Sequence, residues 1–262
     1  MTGLRGVPGE GLGNTFLLVE SEDLEAVGLA PAAAARRFCG RRYDGLLVLD
    51  PAAAAEPELA IWNRDGSAGG VCLNGLRMAA LHLGRPAGAF RMAGRRIAWR
   101  RSEPNWVELH LAAEDLPASI PARTIELPGG RRGVPVPFWN PHCVVPVEDL
   151  EGADLEGLAA AAAGRRDLFP EGVNLELVAE RPGGGLRMRV WERGVGETRA
   201  CGSGAVAVAL LAWADRRPEP LVIEMAGGAL ALGPAPPEVG GLLLAGPAAV
   251  GPPLELDPEC RA

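Results

Sequence analysis

The run Ala205–Ala212, AVAVALLA, is apolar on every face. A helix of that kind has no solvent side and must be enclosed by the rest of its domain. It is opened by Cys201-Gly202-Ser203-Gly204 and preceded by an alternating strand, Leu186–Trp191, and a glycine turn, Gly194-Val195-Gly196. The same grammar occurs once more, where Val71-Cys72-Leu73-Asn74-Gly75 opens the largely apolar stretch Leu76–Leu81. The separation, 201 − 72 = 129 residues, is close to half of the 262-residue chain. A single cysteine of this kind reads blandly as a small buried hydrophobe. Two in matched settings point to function, and they call for two lobes, each wrapped around one buried helix.

Short alternating runs supply the wrapping. In the first half, strands are expected over 15–20, 46–50, 59–62, 90–92, 96–100 and 106–111, with a helix over 31–38. In the second half they are expected over 124–127, 134–138, 143–147, 173–178, 186–191, 221–224, 229–232 and 242–245, with a helix near 155–163. Residues 112–123 hold two prolines and no clear period, and read as the linker. Gly183-Gly184-Gly185 lies between strands with no helix after it, which makes it a turn and not a phosphate cradle. The expected fold is α+β: two β-rich, pseudo-symmetric lobes over 1–117 and 118–249, with the active site in the cleft between them.

Composition removes several function classes. All 26 basic residues are arginine and there is no lysine. A pyridoxal-phosphate enzyme needs a lysine amine for its Schiff base, so this chain offers no such route. A lysine base and a phosphate-loop lysine are excluded on the same ground. The net charge of −7 argues against nucleic acid or an anionic membrane as partner. No apolar run is long enough to span a bilayer, and no secretion signal opens the chain. Five cysteines, an odd number without a disulfide-framework spacing, point to free thiols in a reducing cytoplasm. His82 and His110 have no partners at ligand spacing, so no metal is expected.

A cysteine at a helix N-terminus meets unpaired N–H groups and the positive end of the dipole, which lowers its pKa from about 8.5 toward neutrality. Two such thiols suit the inversion of a stereocentre: one removes an α-proton from one face, the other delivers a proton to the opposite face. Backbone amides at Leu73-Asn74 and Gly202-Ser203 are candidates for holding an α-carboxylate as it gains enolate character. Cys39, Cys143 and Cys260 lack this context and read as structural.

Further motifs accompany the two elements in order: Gly11-Leu12-Gly13-Asn14, Asn63-Arg64-Asp65-Gly66-Ser67, Asn140-Pro141-His142-Cys143 and Glu192-Arg193-Gly194-Val195-Gly196-Glu197-Thr198. With Cys72-Leu73-Asn74-Gly75 and Ala200-Cys201-Gly202-Ser203-Gly204, they make a sequence that closely resembles the diaminopimelate epimerase family from about Gly11 to the C-terminus. The resemblance implies a two-domain α+β fold whose C-terminal segment, 250–262, returns to the first lobe. It implies Cys72 and Cys201 as the acid/base pair, with no cofactor and no metal. It makes Asn14, Asn63, Leu73, Asn74, Asn140, Asn174, Glu192, Arg193, Gly202 and Ser203 substrate-binding residues. His142 and Glu192 become the residues that tune the thiols. The implied reaction converts LL-2,6-diaminopimelate to the meso form, with a small amino-acid substrate as partner and a homodimer as assembly. Each residue also has a plain reading: the asparagines as turn formers, Arg193 as a surface ion pair, His142 as a structural histidine.

Two positions depart from the family pattern. Leu73 stands where a glycine is usual, and Gly45 where a glutamine is usual. Leu73 still supplies its N–H, whereas Gly45 gives up one polar contact to substrate. A related racemase acting on another amino acid is therefore the alternative within the class. A binding protein that keeps the site without turnover is disfavoured by the retained thiol pair. A dithiol oxidoreductase is disfavoured by the lack of a Cys-x-x-Cys spacing.

Overall fold

A computed structural model of the chain describes residues 4–51, 55–214 and 217–258. It divides into two compact units, one formed by residues up to 110 together with those from 245 onward, the other by residues 111–244. The fold is mixed α+β and rich in strands, as the alternating runs predict.

The first unit begins with a hairpin, β1 (Leu4–Gly11) and β2 (Asn14–Glu20). Its two-residue turn, Leu12-Gly13, has φ of 57° and 77°. Left-handed φ at both central residues is the turn that matches strand twist, and it delivers Asn14 at the head of β2. Helices α1 (Ser21–Ala26) and α2 (Pro31–Phe38) follow. Pro31 opens α2, where its missing N–H costs nothing, and Arg36 and Arg37 sit in its last turn, where cations favour the dipole. The chain continues as β3 (Gly45–Asp50), parallel to β2, and β4 (Glu58–Asn63), antiparallel to β3. Then come α3 (Leu73–His82), the hairpin β5 (Ala87–Met92) and β6 (Arg95–Glu103), and β7 (Trp106–Leu111).

The second unit repeats this order. Residues 112–123 hold one 3₁₀ turn, Ala113–Asp115, and no strand. A short β8 (Ile125–Leu127) precedes β9 (Arg131–Phe138) and β10 (Asn140–Pro146), which form a hairpin around Trp139. Next come α4 (Leu155–Ala163), capped by the Asp154 carboxylate on the Gly157 N–H at 2.9 Å, and β11 (Asn174–Glu180), parallel to β10. After β12 (Leu186–Glu192) and β13 (Gly196–Thr198), α5 (Gly202–Ala212) is followed by the hairpin β14 (Leu221–Met225) and β15 (Gly228–Pro234). The strand β16 (Leu242–Pro247) leads back to β17 (Ala249–Val250) and β18 (Leu254–Leu256), both paired antiparallel with β1. Gly183, Gly184 and Gly185 form a turn, all with positive φ.

Each unit buries both faces of its central strands, and this sorts the side chains. On β2 and β3, Leu17, Val19, Leu46 and Val48 pack toward α1 and α2. The period of two sends Asn14, Phe16, Gly45 and Leu47 to the opposite face, where α3 lies. On β10 and β11, Cys143, Val145, Leu175 and Leu177 join the α4 core, which sends Asn140, His142, Asn174 and Glu176 toward α5. The first two turns of α3 and α5 are buried throughout, from Leu73 to Ala80 and from Gly202 to Ala209.

Strand β1 has no counterpart among the expected elements, because Gly6, Pro8, Gly9 and Gly11 make it read as loop. Gly9 and Gly11 make room for α3. A Cβ on Gly9 would lie 2.6 Å from Met78 Cε, and one on Gly11 would lie 2.9 Å from the Asn74 carbonyl oxygen.

Candidate active site

The first unit places Cys72 as the N-cap of α3, extended at φ −117° and ψ 101°, with its sulfur accepting the Gly75 N–H at 3.4 Å. Its own N–H points to Met92 Sδ at 3.5 Å. The neighbouring amides form a chain across the unit. Arg77 Nη2 donates to Asn74 Oδ1 at 2.9 Å, Asn74 Nδ2 to Asn14 Oδ1 at 3.4 Å, and Asn14 Nδ2 to Asp44 Oδ2 at 2.9 Å. Asp44 also accepts from the Thr15 N–H and from Arg64, at 2.9 and 2.8 Å. Asn14 and Asn74 are thus locked in orientation. Leu73 is buried, and its N–H belongs to the helix's first turn, which has no intrahelical acceptor. Asn63 is exposed and bonds to Ser67 within its own turn, Nδ2 to Oγ at 2.9 Å, the plain reading of an asparagine at a strand end.

The second unit builds the same device. Cys201 caps α5 at φ −127° and ψ 113°, and its sulfur accepts the Gly204 N–H at 3.4 Å, with Ser203 Oγ also at 3.4 Å. Gly202 and Ser203 are buried in the first turn. Beneath them, His142 Nδ1 lies 2.6 Å from Glu176 Oε1, both side chains fully buried. His142 Nε2 and Glu176 Oε2 make no hydrogen bond with the described residues. Asn174 is buried and accepts the Arg193 N–H at 2.8 Å. Asn140 follows Trp139, whose φ of 49° is left-handed, much as Asn14 follows Leu12-Gly13. Glu192 ends β12 half-buried and accepts from Thr198 Oγ1 at 2.6 Å.

One expectation is corrected here. The helix N-terminus does not bring Cys201 toward neutrality. Burial pushes its pKa well above the ordinary value, and the carboxylates of Glu192 and Glu176 push it further, against the smaller effects of Ser203 and Gly204. Arg193 is exposed, its guanidinium donates to the Glu171 carbonyl at 2.9 Å, and the Glu171 carboxylate stands 3.8 Å away.

Burial likewise raises Cys39 to about 11 and Cys143 to about 12; what separates them from the two caps is place, Cys39 at the C-cap of α2 and Cys143 within β10. Cys260 lies outside the described residues. Three residues of these networks carried no sequence signal as site residues: Asp44, Arg77 and Glu176. The only trace was register, since Glu176 follows Asn174 by two and so shares its face. At Gly45, a Cβ would lie 2.9 Å from the Trp62 carbonyl oxygen, so β4 runs close against the position where a longer side chain would start.

Burial raises the Glu192 pKa above 4.5, the effect outweighing the hydrogen bonds from Thr198 and Cys201 that lower it. A carboxyl whose folded pKa is raised holds its proton more tightly in the native state, so its contribution is complete below about 4.5 and is lost as pH rises through the folded pKa. Glu192→Gln, which cannot ionise, is expected to remove that loss. Urea unfolding at mildly acidic and at neutral pH reads it: the variant should gain on the parent at the higher pH. An unchanged difference between the two pH values would contradict the shift.

A sequence profile for diaminopimelate epimerase matches residues 138–234. The diaminopimelate epimerase of Moorella thermoacetica is 35% identical over 248 residues, covering 84% of this chain and 88% of that one. The Acidiphilium cryptum diaminopimelate epimerase is 36% identical over 242 residues, covering 85% and 86%. Among solved structures, a probable proline racemase from Agrobacterium radiobacter K84 superposes with a TM-score of 0.69 at 16% identity, covering 98% of this chain and 93% of that one, which shows a shared fold. Fold and relatives define the class, the pyridoxal-phosphate-independent amino-acid epimerases. Within it, this chain belongs to the diaminopimelate epimerase family.

Proposed function

We propose that this epimerase interconverts LL- and meso-2,6-diaminopimelate on the route to lysine, with Cys72 and Cys201 as its two proton carriers. The observation that carries this reading is the duplicated cap: two thiols, each accepting an N–H from a glycine three residues on at 3.4 Å, one in each unit. Inversion needs a thiolate to take the α-proton and a thiol to return one to the other face. The first-turn amides of α3 and α5 receive the α-carboxylate, whose charge grows as the proton leaves. The relatives' printed activity supports the substrate, because its second amino-acid centre needs recognition at a distance from the reacting carbon. Asn174 contributes by fixing the Arg193 backbone, and Arg193 turns its fork from Glu171 to the distal carboxylate.

A panel of amino acids incubated in deuterated water, read by mass, tests this directly. LL- and meso-diaminopimelate should take up one deuteron at the α-carbon with no added cofactor. Arg193→Ala should lose about 10- to 100-fold in kcat/KM, the worth of a charged hydrogen bond at about 1.4 kcal/mol per decade. Faster labelling of a single-centre amino acid would move the assignment to a racemase for another substrate, in keeping with the lost side chain at Gly45.

A further inference from the structure

The two units use one scaffold with opposite charge. Sequence positions correspond at a spacing of 129 (174 − 45, 176 − 47, 201 − 72 and 204 − 75). A Cβ on Gly75 would lie 2.8 Å from Leu47 Cδ2, and a Cβ on Gly204 would lie 2.7 Å from Glu176 Oε1. A hydrocarbon therefore supports the first thiol's helix where a carboxyl group supports the second. At the next correspondence, 206 − 77, the relation reverses: Arg77 in α3 stands where α5 has Val206.

Arg77 is fully buried and the largest side chain in that condition. Its hydrogen bonds go to neutral oxygens: the Leu73 carbonyl at 3.2 Å, Asn74 Oδ1 at 2.9 Å and the Pro247 carbonyl at 3.4 Å. No carboxylate of the described residues lies within ion-pair distance. Burying a lone cation is costly unless an anion answers it. Two of its three bonds go to the first turn of the helix that Cys72 caps; burial lowers the Arg77 pKa to about 10, and among the described residues the Cys72 charge opposes that fall. The other charges on elements packed against α3 do not compete. Arg5, Glu10, Arg91, Arg96, Arg100 and Glu103 are exposed, Arg95 and Arg101 are half-buried cations of β6 that offer Arg77 no anion, and Glu20 acts on His82 at the far end of the helix.

We propose that Arg77 is the buried counter-charge of Cys72, a positioning residue that favours this sulfur as thiolate and touches no substrate. The inference rests on the reading of Cys72 as a proton carrier. It gives that carrier a reason to be ionised before substrate arrives, whereas the charges that act on Cys201 among the described residues are the carboxylates Glu192 and Glu176. Through Leu73 and Asn74, Arg77 also aims the first-turn amides.

The test is alkylation of Cys72 by iodoacetamide across about pH 5 to about pH 10, read by peptide mass spectrometry on the full chain without substrate. In the unsubstituted protein the midpoint should fall at least about one unit below 8.5, the value of a free thiol. Arg77→Gln should raise it by about one unit, slowing alkylation at neutral pH about tenfold, and Arg77→Lys should restore most of the shift. Cys201, in the other unit, should not respond. A midpoint at or above 8.5 in the unsubstituted protein overturns the proposal whether or not Arg77→Gln folds. So does a folded Arg77→Gln protein with an unmoved midpoint, or an Arg77→Lys protein that behaves like it. Alkylation needs no turnover, so a failure here is distinct from a failure of the epimerase reading, which the Cys72→Ala rate decides.

Discussion

Cys72→Ala and Cys201→Ala are each expected to lower epimerisation of diaminopimelate by at least about a thousandfold. General acid–base groups contribute about 10²- to 10⁴-fold, and the proposed mechanism gives each face of the carbon one carrier with no substitute. The two losses should not add, because the carriers act as a unit and removing either stops the same inversion. Exchange of the α-proton with solvent gives the finer readout. A protein that keeps one thiol can label one stereoisomer without inverting it, so the two variants should differ in which isomer they label. Cys39→Ala, which removes a buried thiol from the core around α2, should leave kcat/KM unchanged. Turnover of either cap variant within about tenfold of the parent would sink the two-thiol mechanism.

The second large effect is on stability. Glu176→Ala should destabilise the folded chain by about 3–5 kcal/mol, the range for breaking a buried pair by removing one partner. His142 would be left fully buried without its 2.6 Å partner, and space would open beside Gly204. Glu176→Gln keeps an acceptor for His142 and should cost less, about 1–2 kcal/mol. Guanidinium unfolding of the three proteins checks the order. A loss under about 1 kcal/mol in the alanine variant would mean that the pair contributes no more than an ordinary surface contact. Because Glu176 also raises the Cys201 pKa, the glutamine variant separates the roles: its thiol should alkylate more readily at a given pH while the fold persists.

The sequence alone determined the elements whose local chemistry speaks for itself. Ala205–Ala212 has no polar face, so it had to be buried. Cys72 and Cys201 each stand three residues before a glycine at the head of an apolar run, so both had to meet helix N–H groups. The strands over 106–111 and 186–191 and the helix over 155–163 follow from period. The asparagine motifs and the family followed from residues in order along the chain. Tertiary structure alone decided what faces the sulfurs. Leu175-Glu176-Leu177 alternates like a strand with one wet side, yet both its faces are covered, so the glutamate ends beneath α5. Arg77 interrupts the apolar stretch Leu76–Leu81 with a charge, yet the strand at Gly6–Gly11 closes over it because glycine lets the backbone approach. Arg193, a substrate-binding residue by resemblance, has its guanidinium on the Glu171 carbonyl, a contact that no spacing along the chain foretells. A thiol's environment is the sum of charges brought near it from distant points of the chain. Spacing along the sequence carries none of those distances, and the register between strands carries them all.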